Sequence, residues 1–265
     1  MRRGLIGLGH RPSLASWLAS GVSDVNCVEL TAEHFFDAPD QAISRIGDQY
    51  VCSVHGLGLS LGTPGPLDAV ALRNYARVAR LSNARWVSEH VAFTRTTDVD
   101  LGHLNPVAPT RDNLTLLTDH VQQVQEATTR PVRLENITTP LRLPGSFSEP
   151  EFLNALCELP NVGLLLDVTN LFINARTHGF DAEDWLAALQ PGIVRQMHIV
   201  GYGEEHGRLV DDHRLPIQPA LLDLMAVAAE RHDVEAVFVE RDLDIPGPPE
   251  LAGELSRVRQ ALGWA

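Results

Sequence analysis

YVCSVHGLGLSLGTPGPLDAVALRNYARVARLSNARWVSEH (50–90) holds one full repeat of the fold. Tyr50 to His55 is a short apolar and β-branched run that predicts a strand. A loop punctuated by Gly and Pro follows. LDAVALRNYARVARL (67–81) then places apolar residues at i, i+3, i+4 and i+7, the period of an amphipathic helix. Arg85 to His90 predicts the next strand. Outward from this unit the alternation continues in both directions. Further strands are predicted at Gly4 to Leu8, Val25 to Leu30, Val132 to Asn136, Val162 to Asp167, Val194 to Val200 and Ala236 to Glu240, which makes eight. NLTLLTDHVQQVQEAT (113–128) repeats the helical spacing. Ser148 with Glu151 reads as a capping box opening EPEFLNAL, and Asp181 reads as the cap of the helix containing Trp185. LAGELSRVRQAL closes the chain. Eight strands alternating with helices predict a parallel (β/α)8 TIM barrel rather than an open doubly wound sheet. No Gly- or Ser-rich linker interrupts 1–265, so a single domain is expected. The segment 94–112 reads as a long loop.

Composition is consistent with this architecture. The chain has 265 residues, 44% of them apolar, which fits one barrel with a sizeable core. The formal net charge is -13, from 34 acidic and 21 basic residues. Such a surface repels nucleic acid and anionic membranes, so neither is expected as a partner. The N-terminal MRRGLIGLGHRPSL lacks a long apolar h-region, and no stretch approaches a membrane span; a cytoplasmic protein is expected. Cys27, Cys52 and Cys157 form no CxxC pair. Cys27 and Cys52 lie in apolar strand-like runs and read as small buried hydrophobes, against a disulfide framework or a thiolate zinc site.

Metal-ligand residue types recur at the predicted strand ends. In order they are Glu29, His55, Glu89 with His90, Glu135 with Asn136, Asp167 with Asn170 just beyond, His198, and Glu240. A parallel barrel gathers all these ends on one face, where barrel enzymes place their chemistry. Converging carboxylates repel one another, and few Lys or Arg residues stand at these ends to neutralise them. Divalent cations would supply the missing charge. Asp211-Asp212-His213 reads as part of the loop after the seventh strand; residues i and i+2 of an extended backbone point the same way, so Asp211 and His213 could share an ion. His55, His90, His198 and His213 with Glu135, Asp167, Asp211 and Glu240 exceed what one ion uses, which predicts two or three ions with a carboxylate such as Glu135 between them. Imidazole and carboxylate without thiolate suit Fe, Mn or Zn. His120 and His232, in helical stretches, are expected on the surface. His10, His34, His103, His178 and His206 are expected in loops, with His34 and His103 as candidates to support the ligands.

HGLGLSLG (55–62), SEHVAF (88–93), RLENITTP (133–140), LLLDVTNLFINARTHGF (164–180), MHIVGY (197–202), DDHRLPI (211–217) and VERD (239–242) resemble the multinuclear non-heme iron-dependent oxidative enzymes. This is the family of the methanobactin oxidase MbnB and the thiaglutamate enzyme TglH, formerly a domain of unknown function. The similarity runs from Gly4 nearly to the C-terminus. It implies a xylose-isomerase-like TIM barrel that uses two or three irons, Fe2+ and Fe3+, with O2 as cosubstrate. It also implies a ribosomally made precursor peptide as substrate, modified at a Cys or an Asp, and a partner protein that recognises the leader peptide. By motif, His55, His90 and Glu135 would hold one iron. Glu135 would bridge to a second held by Asp167, His198 and Glu240, and these four would carry the catalysis. Asn170, Asp211 and His213 match a third position. Glu29 and Glu89 match motif positions as residues that orient the histidines. The chain departs from the common pattern at His34, where many relatives have Asn, and in LGHLNPVAP (101–109); both read as pocket-lining. The same architecture also serves divalent-metal sugar isomerases or epimerases and trinuclear-zinc phosphoesterases resembling endonuclease IV. A non-enzymatic metal-storage or peptide-binding module is a further alternative.

Overall fold

The computed structural model describes residues 4–22, 24–96 and 98–264. Arg2 and Arg3 of the N-terminal segment lie outside the described residues. Eight parallel strands close into a barrel: β1 (Leu5–Gly9), β2 (Cys27–Thr31), β3 (Val51–His55), β4 (Trp86–His90), β7 (Val132–Glu135), β8 (Val162–Asp167), β9 (Val194–Ile199) and β12 (Ala236–Val239). They neighbour one another in chain order, and β12 closes on β1 through Leu5↔Ala236 to Leu8↔Val239. Each strand falls within two residues of its predicted bounds.

The strand period of two sorts the residues. One parity carries Val28, Leu30, Val54, Val87, Leu134, Leu164, Leu166, Met197, Ile199, Val237 and Val239 outward into the main apolar core shared with the helices. The other parity points inward. At the N-terminal end of the barrel it supplies Cys27, Trp86, Ala236 and Phe238, a separate apolar cluster. Two residues further along several strands stand Glu29, Ser53 and Ser88, and at the C-terminal ends stand His55, His90, Glu135, Asp167 and His198.

The outer layer contains α1 (Ala15–Ala19), α2 (Asp40–Gln49), α3 (Ala69–Leu81), α4 (Arg111–Thr128), α5 (Glu149–Leu156), α6 (Val168–His178), α7 (Ala182–Ala187), α8 (Pro219–Arg231) and α9 (Pro248–Leu262). The caps are set by local chemistry. Ser148 and Glu151 form the reciprocal capping box of α5, and Asp181 accepts from the Glu183 and Asp184 amides at the start of α7. Among the described residues no helix is long and apolar enough to cross a membrane.

Three expectations are corrected. The segment 94–112 is largely an antiparallel hairpin, β5 (Ala92–Arg95) with β6 (Asp100–Pro106), which pairs with itself outside the barrel. Asp211-Asp212-His213 likewise lies in a hairpin, β10 (Gly201–Glu205) with β11 (Arg208–Leu215). Its turn residues His206 and Gly207 have φ of 51° and 75°, the twist a two-residue hairpin turn requires. His120 and His232 are buried rather than on the surface. The His120 ring lies between the carbonyls of Leu61 (2.7 Å) and Gly65 (2.9 Å), tying α4 to the loop after β3. The amide of Gly192 donates to His232 Nδ1 at 3.1 Å.

Candidate metal centre

Four sets of donor atoms converge at the C-terminal end of the barrel: His55, His90 and Glu135; Glu135, Asp167, His198 and Glu240; Asp167, Asp211 and His213; and His213, Glu240 and Asp242. Within each set the donor atoms lie within 4.8 Å of one another. Glu135 joins the first two. Its Oε2 is 3.5 Å from Nε2 of both His55 and His90, while Oε1 is 3.4 Å from His198 Nδ1. The two oxygens of one carboxylate thus face two different imidazole groups. His198 Nδ1 is also 3.1 Å from Glu240 Oε2, and His213 Nε2 is 3.1 Å from Asp211 Oδ2.

Each histidine is held from behind. His55 Nδ1 pairs with Ser88 Oγ at 2.9 Å, and His90 Nδ1 donates to Glu89 at 3.1 Å. His198 Nε2 donates to Glu29 at 2.6 Å, and His213 Nδ1 donates to Asp242 at 2.9 Å. Supporting groups of this kind fix the tautomer and aim the remaining nitrogen at a metal. Glu29 in turn accepts from Ser53 and Gln196, and Glu89 accepts from the Leu59 amide.

The electrostatics describe a cluster short of positive charge. Burial pushes His90 down, but Glu135 and Glu89 outweigh it and hold the ring up at about 9. Burial likewise opposes protonation of His198 and His213; Glu29 and Glu240 raise the first, Glu240 and Asp211 the second, both well above the usual range. Burial raises Glu135, yet His198, His90 and His55 together bring it down to about 2. Asp167 goes the other way, pushed far up by burial and by the facing carboxylates of Asp211 and Glu135.

The donor set fits divalent metal ions. Glu135 Oε2, His198 Nδ1 and Asp211 Oδ1 are buried without hydrogen-bond partners, an expensive arrangement unless a cation is the partner. N···O separations of 3.1–3.5 Å suit two donors sharing one ion at bond lengths of about 2.0–2.2 Å.

Asn170 stands beside this set. Its amide donates to Asp167 Oδ1 at 2.7 Å, capping α6, and its side-chain oxygen accepts from Thr138 Oγ1. His34 and His103 are exposed and belong to none of the four donor sets. Sequence reasoning missed Asp242 and Arg11. Asp242 stood in the quoted VERD, two residues after Glu240, and the i, i+2 rule applied to Asp211 and His213 would have singled it out. Arg11, just past β1, is a buried cation at the cluster where few cations were expected.

Beside the centre lies a mostly apolar cavity of about 600 Å³. Val91 and Asn136, which follow the donors His90 and Glu135, form part of its wall, with Pro106 and Val107 of LGHLNPVAP and the rings of Phe147 and Trp185.

A closed parallel barrel with imidazole and carboxylate donors gathered at its C-terminal face defines a TIM barrel of the xylose-isomerase-like class with a candidate metal site. The family described as RiPP precursor modification enzyme MbnB/TglH/ChrH matches residues 5–263, and the chain belongs to that family. A UPF0276 protein of Bordetella parapertussis is 33% identical over 265 residues, covering 97% of this chain and 92% of the relative. The fold is similar to that of D-psicose 3-epimerase from Clostridium cellulolyticum (TM-score 0.63, 9% identity, covering 97% of this chain and 95% of that one). It is also similar to endonuclease IV from Thermus thermophilus (TM-score 0.62, 15% identity, covering 98% and 99%). At these identities the two structures establish the barrel alone.

Proposed function

We propose that this chain is a multinuclear iron- and O2-dependent oxidase that modifies a residue, a cysteine in preference to an aspartate, of a ribosomally made precursor peptide. The observation that carries the reading is Glu135. It is set between two imidazole groups whose histidines are each anchored from behind, within a chain of the peptide-modifying family. His55, His90 and Glu135 would hold one ion, and Glu135, Asp167, His198 and Glu240 a second. Asp167, Asp211 and His213, with Asn170 adjacent, would hold a third. Bound iron would supply one-electron redox chemistry at these residues.

The chain's own residues set the conditions for that chemistry. Ser88, Glu89 and Glu29 hold the imidazoles in single orientations. Burial raises the thiols of Cys52 and Cys157 to about 12 and pushes that of Cys27 well up, and none of the three belongs to a donor set, so a thiolate at the centre would come from the substrate. The adjoining cavity suits a large apolar side chain neighbouring the modified residue. Exposed large apolar side chains among the described residues are Leu57, Val70, Val99, Leu141, Leu215 and Leu243. All six lie in connections leaving the C-terminal ends of barrel strands, or at the first helical turn after one. This apolar rim supports docking of a leader-recognising partner protein over the same face. The net charge of -13 argues against a nucleic-acid substrate.

Metal content and oxidation state test the proposal, read by elemental analysis and Mössbauer spectroscopy on protein purified without oxygen. Two or three irons per chain, partly ferrous, are expected, with oxygen uptake when a precursor peptide encoded beside the gene is added. Zinc or manganese at full occupancy, with no iron even after iron loading, would move the chain to a phosphoesterase or a sugar isomerase.

A further inference from the structure

The fourth donor set, His213, Glu240 and Asp242, differs from the other three in having a guanidinium against it. Arg11 is buried against it. Its guanidinium donates to the Asp242 carboxylate and reaches Glu240 Oε1 at 3.4 Å. It is anchored on its other side by the His10 carbonyl at 3.0 Å and Thr31 Oγ1 at 3.5 Å. Arg11 leaves β1 and Asp242 follows β12, so the closure of the barrel is what joins them.

Asp242 grips His213 twice. Its carboxylate accepts from His213 Nδ1 at 2.9 Å, and its backbone amide donates to the His213 carbonyl at 3.0 Å. The second contact matters because His213 has φ of 53°, a left-handed conformation that a non-glycine residue keeps only when its surroundings hold it. With Nδ1 engaged, Nε2 is left facing Asp211 and the third donor set. A divalent ion at the fourth set would have to displace a guanidinium already bound to two of its three carboxylate and imidazole members, Asp242 and Glu240.

We infer that Arg11 and Asp242 are a positioning pair for the third metal site. Arg11 fixes Asp242, Asp242 turns His213 Nε2 toward Asp167 and Asp211, and the guanidinium keeps an ion out of the fourth set. The centre therefore closes at three ions, and the third depends on a contact between the two ends of the chain. This rests on the metal-centre reading of the site.

The test is anaerobic equilibrium dialysis against ferrous ion, with iron counted per chain. The proteins are the wild-type chain, Asp242→Asn, Asp242→Ala and Arg11→Met. Asp242→Asn keeps the shape of the side chain and guards against a folding defect. The wild type is expected to bind three ions. Each variant is expected to keep the first two at wild-type affinity and to bind the third about 10- to 100-fold more weakly, the range typical of lost supporting contacts. A third ion bound equally well by all the variants would overturn the inference. So would equal weakening of all three ions, which marks a merely structural role, or a wild type that stops at two ions. A wild type that binds none would instead sink the metal-centre reading itself.

Discussion

The two ends of the barrel interior are lined by the same eight strands and hold opposite chemistry. At the N-terminal end Cys27, Trp86, Ala236 and Phe238 pack as an apolar plug. Its rim is a loose group of Arg85, Arg133 and Arg195 around Glu235, at 3.5–3.9 Å. At the C-terminal end imidazoles and carboxylates crowd together, leaving buried atoms of Glu135, His198 and Asp211 unpaired. Between them lies one connecting chain: the Trp86 indole donates to Gln196, Gln196 donates to Glu29, and Glu29 accepts from His198. The difference teaches where this fold places its cost. One end is packed as a core and is complete on its own; the other leaves buried donors whose fitting partners are cations.

The comparison breaks most visibly at Glu135. Glu135→Gln removes the charge that faces both imidazole groups, so elemental analysis should find at most one ion per chain and turnover should be abolished. A variant that keeps full iron and activity would refute the bridging role.

Chelation asks whether the C-terminal end needs its ions. An ion present at about a thousand times its Kd stabilises by about 4 kcal/mol. Stripping it should therefore lower Tm by roughly 10 °C in a calorimetric scan, given about 2–4 °C per kcal/mol in chains approaching this size. An unchanged Tm would mean that the cluster is as self-sufficient as the plug.

A pH series sharpens the same contrast. The metal-free protein holds a proton on His90 up to about pH 9, whereas the unfolded chain releases it near the ordinary histidine value. The stability this proton lends is fully present below about pH 6.5 and is lost as pH rises through about 9. Bound metal requires neutral His90 and escapes that loss. The Tm gain on adding metal should therefore grow between those pH values, and metal uptake at pH 7.5 should acidify a weakly buffered solution. A gain that shrinks with pH would contradict the assignment of His90 as a protonated, metal-competing group.

Trp86→Phe gives the smallest of these effects. It removes the indole donor to Gln196 and should cost about 1–3 kcal/mol in denaturant unfolding while leaving the ion count unchanged. Loss of iron in this variant would show that the plug and the centre are one unit joined through Glu29 and His198.

The eight strands and several caps were legible because their signals are local. A strand announces itself within six residues, and Ser148 needs only Glu151. The hairpins were missed because 94–112 and 201–215 have no continuous apolar face; each takes its order from pairing with itself. His120 was misread because the feature that buries it is the carbonyl of Leu61, 59 residues earlier in the chain. Arg11 and Asp242, 231 residues apart, meet only because the sheet closes.

From the sequence alone followed the barrel, the strand-end positions that gather His55, His90, Glu135, Asp167 and His198 at one end, and the family they resemble, since periods and motifs survive in one dimension. The tertiary structure alone decided which ring nitrogen of each histidine faces the centre. It also decided that the two oxygens of Glu135 point at different histidines and that a guanidinium fills the fourth donor set. Those are matters of side-chain direction among residues from separate strands, and they exist only once eight short runs have been bent into a ring.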